Sequence, residues 1–445
     1  MPHVTFIYPS VGRFPGTKYI RSWQMQPLAI AALSGLTPQS WKRTFFDDRL
    51  EQINYDRPTD LVGISIETFT ARRGYQIAEE YKKRGVPVVM GGYHATFCPD
   101  EVLEYVDAVC VGEAEDVWTK IINDAEQNKL CGKYIASSKS RTLFSNFDRS
   151  IFKGKKYFKF ALVETSRGCN FQCTFCSITA FHKERCKYRP IHDIVQEIRN
   201  LKEKNIFIVD DNFASDFNRA RELFSALEGL KIRWVGQAGI NITNNVKLLD
   251  LMAKSGCVGL LIGFESLEPE SLCFVNKQVN KRADYARGLQ ELRKRGLAVY
   301  GTFLLGLPHD SEETVNAILN FSIKEKLFIA AFNHIVPFPG TPLYNELEIK
   351  NKLIYKKWWL SEEYRFGDVP YNPETVSAQG LQEWCHRVRK KFFGVLSIFR
   401  RSIDVFIYSK SLRKIIMYFG LNCLLHKEVS QKRGLPLGER DERVI

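Results

Sequence analysis

The stretch Glu164–Ser177 reads ETSRGCNFQCTFCS and holds Cys169, Cys173 and Cys176 in a C-x₃-C-x₂-C array. It directly follows a short apolar run, Phe160–Val163, so we expect a loop at the end of a strand. Three thiolates at this spacing can bind three irons of a [4Fe–4S] cluster, and the fourth iron then has no protein ligand. Because an open iron can bind a small molecule, the array predicts a cluster that does chemistry besides carrying electrons.

Two other interpretations of the array are a zinc site and unconnected buried cysteines. A structural zinc site usually takes a fourth Cys or His from a second close pair, and only His182 and Cys186 lie nearby. The spacing therefore favours the cluster. The other eight of the eleven cysteines are scattered, which is typical of reduced thiols in a core and not of a disulfide framework.

Length and composition set the class of protein. A chain of 445 residues is too long for one ordinary core, so we expect two or three domains. With 44% hydrophobic and 26% charged residues and no run of 18 apolar residues, it is typical of a globular protein that does not span a membrane. The start, MPHVTFIYPSVGR, lacks the features of a signal peptide, so we expect a cytoplasmic location.

Residues 1–135 alternate short apolar runs with stretches whose apolar residues recur at three- and four-residue steps. This alternation predicts an α/β domain with a doubly wound parallel sheet, which binds ligands at the carboxyl ends of its strands. The expected strands are Val4–Tyr8, Thr44–Phe46, Leu61–Ile66, Val86–Met90 and Ala108–Val111, and the expected helices are Pro27–Leu36, Ala71–Arg84 and Glu115–Gln127. Residues at the strand ends, many of them glycine or small and polar, are Pro9, Ser10, Ser65, Gly91, Gly92, Tyr93, His94, Gly112 and Glu113.

From Phe160 to about Gly340 the alternation of strand and helix resumes six times. Six such units suit a partial barrel with its chemistry at the carboxyl ends of the strands. The expected strands are Phe160–Glu164, Ile206–Val209, Ile232–Gly236, Gly259–Gly263, Ala298–Leu305 and Phe328–Val336. The expected helices are His192–Glu203, Arg219–Leu227, Val246–Lys254, Arg282–Lys294 and Glu312–Lys326.

The cysteine array after the first of six strands resembles the radical S-adenosylmethionine (SAM) superfamily. The resemblance implies a (β/α)₆ barrel in which the free iron chelates the amino and carboxylate groups of SAM, and an injected electron yields a 5′-deoxyadenosyl radical. It also implies a shell of SAM-binding residues at the strand ends. These are Phe175 against adenine, Asp210, Asp211 and Asn212 near the amino group, Gln237 and Gly239 after the third strand, and Glu265 and Ser266 near the ribose.

The amino-terminal part resembles the cobalamin-binding subgroup of that superfamily. The subgroup shares a G-G-x-H-x-T segment, here Gly91–Thr96, and a G-E-x-E segment, here Gly112–Glu115. The D-x-H-x-x-G signature of other cobalamin enzymes is absent, so the resemblance implies cobalamin whose cobalt has no histidine ligand from that motif. Two alternative roles stay open for His94: it contacts the corrin, or it caps a helix.

These patterns divide the chain into four parts. We expect a cobalamin-binding Rossmann-like domain over 1–136, a linker over 137–159, the radical SAM barrel over 160–344 and a mostly helical carboxyl-terminal cap over 345–445. Between Leu381 and Arg433 the tail has twelve Lys and Arg against three acidic residues, interleaved with aromatic residues. It predicts a cap over a substrate chamber, or a basic amphipathic helix around Lys391–Phe419 in peripheral contact with anionic lipid. Nucleic acid is disfavoured because no binding module is visible.

The resemblance implies a cobalamin-dependent radical SAM enzyme that methylates an unactivated carbon through methylcobalamin and the adenosyl radical. An enzyme of the same cofactors that closes a ring or rearranges its substrate without methyl transfer is the main alternative. A non-catalytic iron–sulfur redox or sensing protein is a more distant one. The expected partners are a small-molecule or lipid-like substrate and a flavodoxin- or ferredoxin-type electron donor.

Overall fold

A computed structural model describes residues 1–14, 16–137, 146–183, 186–281, 283–408 and 411–439. Residues 138–145 of the predicted linker, the first residue of the predicted helix at 282 and the last six residues of the tail lie outside this description. The strands are β1 (His3–Tyr8), β2 (Lys42–Asp47), β3 (Leu61–Ser65), β4 (Val88–Gly91), β5 (Ala108–Val111), β6 (Gly132–Ile135), β7 (Ala161–Val163), β8 (Ser166–Arg167), β9 (Lys187–Tyr188), β10 (Asn205–Ile208), β11 (Arg233–Ala238), β12 (Cys257–Glu265), β13 (Ala298–Leu305), β14 (Ile329–His334), β15 (Arg365–Phe366) and β16 (Leu435–Pro436).

The helices lie mostly between consecutive strands. They are α1 (Leu28–Leu36), α2 (Ala71–Lys82), α3 (Tyr93–Phe97), α4 (Pro99–Leu103), α5 (Trp118–Glu126), α6 (Ser177–His182), α7 (Ile191–Asn200), α8 (Phe217–Leu227), α9 (Val246–Lys254), α10 (Pro269–Phe274), α11 (Gln278–Lys281), α12 (Tyr285–Lys294), α13 (Glu312–Lys324), α14 (Pro342–Ile349), α15 (Ala378–Phe392), α16 (Val395–Tyr408) and α17 (Leu412–Gln431). Short 3₁₀ turns occupy Arg21–Trp23, Thr68–Thr70, Ala114–Asp116, Arg149–Phe152 and Ile240–Asn244.

The amino-terminal sheet has six parallel strands in the order β2-β1-β3-β4-β5-β6. The predicted five strands are all present, and the doubly wound fold class is confirmed. The sixth, β6, is an edge strand in which only Tyr134 is buried, so its sequence carries no apolar run. The strand order reverses between β1 and β3, which is where an open parallel sheet forms a crevice for a ligand.

The second sheet is a partial barrel of six parallel strands in the order β7-β10-β11-β12-β13-β14. Alternate residues of each strand pack beneath the surrounding helices, as Val299, Phe303 and Leu305 do in β13. The remaining residues face the interior of the barrel, because successive side chains of a strand point to opposite faces. All six predicted strands are found here, which confirms the predicted (β/α)₆ arrangement.

The tail joins the barrel to the amino-terminal part. Helix α15 packs on β14 and α13, and α16 and α17 pack against each other. The short antiparallel pair of β15 and β16 interrupts the predicted helical cap. The chain then returns to the amino-terminal segment, where Gly438 N donates to Val11 O at 2.7 Å and Ser22 N donates to Glu428 Oε1 at 3.0 Å. Within the described ranges, every helix is too short or too polar to cross a membrane.

One buried guanidinium, that of Arg401 in α16, ties the tail helices to the barrel. It donates to the carbonyl oxygens of Leu327 at 2.9 Å and of Phe392 at 2.9 Å, and to Asn422 Oδ1 at 3.0 Å. Its guanidinium also lies 3.7 Å from the centre of the Phe392 ring. Burial lowers the pKa of Arg401 to about 10, so it stays charged at neutral pH.

We expect Arg401→Ala to lower the free energy of unfolding by about 3 kcal/mol or more, because several buried acceptors lose their donor. Urea unfolding and hydrogen exchange of the amides in α15–α17 measure the loss. The matched control is Arg400→Ala, whose side chain is exposed and should change stability by less than about 0.5 kcal/mol. Equal stability of the two variants would contradict the role given to Arg401.

Candidate functional site

A large cavity lies between the carboxyl ends of the two sheets. Its volume is about 1120 Å³, counted with the open space at its mouth. The amino-terminal part contributes α1 and the ends of β3, β4 and β5, and the barrel contributes the ends of β7 and β10 and the loop and helix after them. The two halves of the molecule therefore face each other across one chamber.

Most residues predicted to contact cobalamin line this cavity, namely Ser65, Gly91, Gly92, Tyr93, Gly112 and Glu113. Pro9 and Ser10 are absent from its lining. Ser10 instead donates to Asp48 Oδ2 from its backbone nitrogen at 3.0 Å and from its hydroxyl at 2.5 Å. That carboxylate also accepts from Arg73, so Ser10 belongs to a buried polar cluster behind the strand end.

His94 is fully buried and lies outside the lining of the cavity. Its Nε2 is 3.1 Å from the Tyr75 hydroxyl and 3.2 Å from Glu101 Oε1, and its Nδ1 is 3.4 Å from Thr68 Oγ1. Both ring nitrogens are thus engaged within the amino-terminal part. A corrin contact by His94 stays a prediction that the geometry does not favour, and the ring does not cap its helix either.

Glycine is required at the turn after β4. Gly92 has φ +106°, and a Cβ there would lie 2.3 Å from Ile66 O. Thr96 closes this turn, because its hydroxyl donates to Gly92 O at 2.9 Å and accepts from Gly112 N at 3.0 Å. The G-G-x-H-x-T and G-E-x-E segments are therefore joined by one side chain, which leaves glycine backbone exposed to the cavity and suits close approach of a bulky group.

The three cysteines of the array lie on the loop after β7 and at the start of α6. Cys169 and Cys173 are buried, and Cys176 is the residue before the first turn of α6, with its backbone nitrogen 3.2 Å from Cys173 O. Burial raises the pKa of Cys173 to about 12, although Lys277 opposes the rise. In the described ranges, groups of three or more Cys, His, Asp or Glu arranged around a single metal ion are absent. Cluster thiolates each bind a different iron, so they need not converge on one point.

Lys277 is a residue of this site that the sequence analysis missed. Its Nζ lies 3.2 Å from Glu265 Oε1 and 5.4 Å from the centre of the Phe171 ring, within the cysteine loop. Burial alone would lower the pKa of Lys277, but the charge of Glu265 and the nearby thiols of Cys173 and Cys169 raise it. It is a largely buried cation beside the predicted cluster, and its ion-pair partner is Glu265.

A bulge at the end of β12 aims Glu265 at this lysine. The pairing with β13 shifts register between Gly263 and Glu265, and Glu265 has φ +62°. A Cβ on Gly263 would lie 2.3 Å from Glu265 Oε1, so the carboxylate would have to shift away from it. Ser266 accepts from Glu268 N at 3.0 Å, so it caps the following turn. The predicted ribose contacts of Glu265 and Ser266 stay predictions.

The three polar residues after β10 have different surroundings. Asp210 is buried and accepts from Thr165 N at 2.6 Å and Ser166 Oγ at 2.7 Å, so it holds the first two strand ends together. Asp211 lines the cavity, and burial, with the charges of Asp210 and Glu164, raises its pKa to about 6. Asn212 Nδ2 lies 4.0 Å from Cys169 Sγ and can donate to that sulfur.

Two buried oxygens near the cysteine loop lack hydrogen-bond partners among the described residues, Thr174 Oγ1 and Asn241 Oδ1. Such atoms are rare unless a ligand or water satisfies them. Thr174 lies within the array, and Asn241 follows Gly239 after β11. Phe175 packs on the barrel core, and Gln237 lies on the opposite face of β11 from its buried residues. The residues present therefore fit a polar ligand beside the array.

An ion-pair network crosses the interface between the two parts. Arg167, two residues before Cys169, donates to Glu164 Oε1 at 2.9 Å and to Glu115 Oε1 at 2.7 Å. Lys187 donates to Glu113 Oε2 at 2.9 Å. The G-E-x-E carboxylates of the amino-terminal part thus bind cations of the cysteine loop and of β9. Local sequence patterns carry no signal for this pairing, because its partners are about 50 or more residues apart.

Comparisons with known proteins agree with this architecture. Residues 163–322 match the radical SAM superfamily, and residues 34–122 match the B12 binding domain. The chain is 27% identical to bacteriochlorophyllide d C-12(1)-methyltransferase of Chlorobaculum tepidum over 388 residues, 84% of each chain. It is 26% identical to anaerobic magnesium-protoporphyrin IX monomethyl ester cyclase of Rubrivivax gelatinosus over 446 residues, 88% of this chain and 77% of that one.

A solved structure shows the same fold. The cobalamin-dependent SAM radical enzyme OxsB superposes with a TM-score of 0.66 at 15% identity, over 97% of this chain and 72% of that one. The two matched domains correspond to the two observed sheets, which face each other across one cavity. Residues 163–322 thus form a radical SAM domain and residues 34–122 a B12 binding domain, and the cofactors of the chain are a [4Fe–4S] cluster, SAM and cobalamin.

Proposed function

We propose that the chain is a C-methyltransferase that acts on an unactivated carbon of a small molecule. The observation that carries the proposal is the shared cavity, which brings Asp211 and Arg167, two residues before the first cysteine, to face Gly91, Gly92 and Gly112 of the amino-terminal sheet. A substrate between the two faces can meet both cofactors. The methyltransferase relative supports transfer of a methyl group. The cyclase relative supports the alternative, ring closure with the same cofactors and no methyl transfer.

The cofactors would be held by the residues described above. Cys169, Cys173 and Cys176 would bind three irons, and Lys277 and Asn241 offer partners to the charged and polar groups of SAM. The glycine turns at the ends of β4 and β5 would cradle cobalamin. When bound, the three cofactors supply the electron, the hydrogen-atom abstraction and the methyl group.

The side chains of the chain itself orient these groups and exclude water. Phe147 and Phe181 line the cavity between the two parts and keep part of it apolar. Arg167 holds the cysteine loop against the amino-terminal sheet, so that the two binding faces keep one separation. Asp210 already accepts three hydrogen bonds. Asp211 is therefore the acid at this strand end that can accept a proton from a ligand, or a hydrogen bond from its amino group.

The tail supports a further partner, an anionic lipid surface. Of the seventeen large apolar side chains that are exposed among the described residues, nine lie between Val395 and Ile416, on α16 and the start of α17. Leu396, Phe399, Ile403 and Phe406 follow one face of α16, and Phe399 and Phe406 contact Phe419 of α17. We propose that this two-helix apolar face enters the lipid headgroup region.

Charge on the tail favours lipid over a second copy of the chain. The exposed charged residues from 390 to 427 are all basic, namely Lys390, Lys391, Arg400, Arg413 and Lys427. The single acidic residue of that range, Asp404, is paired with Lys326 at 2.7 Å. Two such cationic faces would repel each other, whereas an anionic leaflet attracts them.

The methylation proposal predicts incorporation of label. Reduced, reconstituted protein with hydroxocobalamin, trideuteromethyl-SAM and bacteriochlorophyllide d, or an extract of its own cells, is expected to give a product in which CD₃ replaces H. Mass spectrometry separates this from cyclisation, because a cyclised product loses hydrogens and gains no deuterium. Unlabelled product would overturn methyl transfer in favour of the cyclase.

The cysteine array predicts about four irons per chain after anaerobic reconstitution. We expect Cys173→Ala to lose most of this iron, because one corner of the cluster loses its thiolate. Iron analysis and the visible absorption of the cluster measure it. Cys385→Ala is the matched control, since Cys385 is also buried but lies in α15. Full iron content in Cys173→Ala would refute the assignment.

The apolar face predicts binding to vesicles of phosphatidylglycerol and weaker binding to vesicles of phosphatidylcholine. The double variant Phe399→Glu with Phe406→Glu should lower the vesicle-bound fraction at least about tenfold, because each ring contributes about 2 kcal/mol when buried. Co-sedimentation measures it, and Ile349→Glu, at an exposed apolar site of α14, is the control. If the unsubstituted protein is a dimer that binds no vesicles, and the double variant is a monomer, then a second copy of the chain covers the face.

A further inference from the structure

A second cavity, of about 990 Å³ with its open space, lies at the other edge of the partial barrel. Strands β13 and β14 form one wall, and α15 and the end of α17 form another. Trp23, from the segment between β1 and α1, closes a third side. The chamber is thus assembled from the amino-terminal part, the barrel and the tail.

The strand wall of this chamber is the interior face of the barrel. Tyr300, Ala331 and Asn333 line it. Their neighbours along the strands, such as Val299 and Phe332, point the other way and pack in the core beneath the helices. Because alternate residues of a strand face opposite sides, the chamber opens to the barrel lumen. Tyr300 is the third residue of β13 and Asn333 the fifth of β14, so the chamber extends along the strands and is not confined to their carboxyl ends.

The charged residues of the chamber are all basic. Among the described residues that line it are Arg389, Lys432 and Arg433, and no carboxylate is among them. Lys432 is neutralised, since its Nζ lies 2.9 Å from Glu428 Oε2. Arg389 donates hydrogen bonds to neutral acceptors, from Nε to Phe332 O at 2.8 Å and from Nη2 to Asn333 Oδ1 at 2.8 Å.

Two guanidinium groups therefore lack an ion-pair partner within the described ranges, those of Arg389 and Arg433. Burial raises the pKa of Asp368, and the charge of Arg433 opposes the rise. Asp368 nevertheless lies outside the lining of the chamber, and its carboxylate already accepts from Gln382 at 2.7 Å. His386 adds no charge at neutral pH, because burial and then Arg433 and Arg389 lower its pKa. A guanidinium pair of this kind suits a carboxylate or phosphate.

The rest of the lining is aromatic and aliphatic. Trp23 and Phe366 meet edge to face, with ring centroids 4.9 Å apart, and Tyr300, Phe393 and Leu425 complete the surface. Such a surface suits a flat apolar body. The cationic pair and the aromatic wall together describe a ligand with two ends, one apolar and one anionic.

We propose that this chamber binds an apolar ring compound that carries a carboxylate or phosphate, with the anionic group on Arg389 and Arg433 and the ring body against the aromatic wall. The inference goes beyond the proposed function, because the chamber shares no lining residue with the cavity between the two sheets. Binding can be measured without turnover, so it is tested independently of methyl transfer.

The test compares two probes that differ only in charge, 1-pyrenebutyrate and 1-pyrenebutanol. Fluorescence titration of the full-length protein is expected to show about tenfold tighter binding of the carboxylate, the effect of one charge-assisted contact. Arg433→Gln should remove most of that preference, and Arg389→Gln should remove it as well. Inorganic phosphate should displace the butyrate from the unsubstituted protein and not from Arg433→Gln.

Arg413→Gln is the matched control, because Arg413 is an exposed arginine of α17 outside the chamber. This variant should keep the preference for the carboxylate. Loss of the preference in Arg413→Gln would show instead that the probe binds at the apolar face of α16. Arg433 makes no ion pair within the described ranges, so its variant should fold even where Arg389→Gln does not. Equal affinity of the two probes, or an unchanged preference in Arg433→Gln, would overturn the assignment.

Discussion

The guanidinium of Arg167 is the contact on which the arrangement of the two sheets depends. It lies two residues before the first cysteine of the array, yet its carboxylate partners come from both halves, Glu164 of the barrel and Glu115 of the amino-terminal sheet. Burial alone would lower the pKa of Arg167, but the charges of Glu164 and Glu115 outweigh it and raise the pKa. A separation of the halves would break the contact of Arg167 with Glu115, while Arg167 would keep Glu164.

This constraint explains why the carboxyl ends of the strands face each other. Parallel sheets place their functional residues at one edge, and here the two edges meet across Arg167 and across the pair of Lys187 with Glu113. Glu113 Oε1 lacks a hydrogen-bond partner among the described residues, and Arg167 Nη1 is 3.8 Å away. The interface therefore has a carboxylate oxygen at the cavity wall that can accept a hydrogen bond from a cofactor.

Local sequence patterns predicted the elements well, because strands buried on both faces have continuous apolar runs and the helices have clear ends. Ala108–Val111, Ala298–Leu305 and Val246–Lys254 match the predicted bounds. Edge strand β6 was missed because water replaces the packing that would have required apolar residues. Helices α3 and α4 were missed because each is five residues long, too short to show a helical period.

The site was only partly predictable, for a physical reason. Strand-end residues could be found from the sequence, since parallel topology alone brings them to one edge. Lys277 could not, because it comes from a loop after α10 that is far along the chain from the cysteines, and its contacts there are with Glu265 and Phe171. His94 shows the opposite failure. Its motif is visible in the sequence, but Tyr75, Glu101 and Thr68 draw the ring into the amino-terminal part.

The two cavities follow from the open form of the barrel. A closed barrel fills its interior with side chains, but six strands leave a gap between the edge strands β7 and β14. The cavity at β7 and β10 faces the amino-terminal sheet and suits large cofactors, while the chamber at β13 and β14 lies under the tail. The ligand proposed for the chamber would then bind apart from the cofactors, at the opposite edge of the partial barrel, where the tail supplies Arg389 and Arg433.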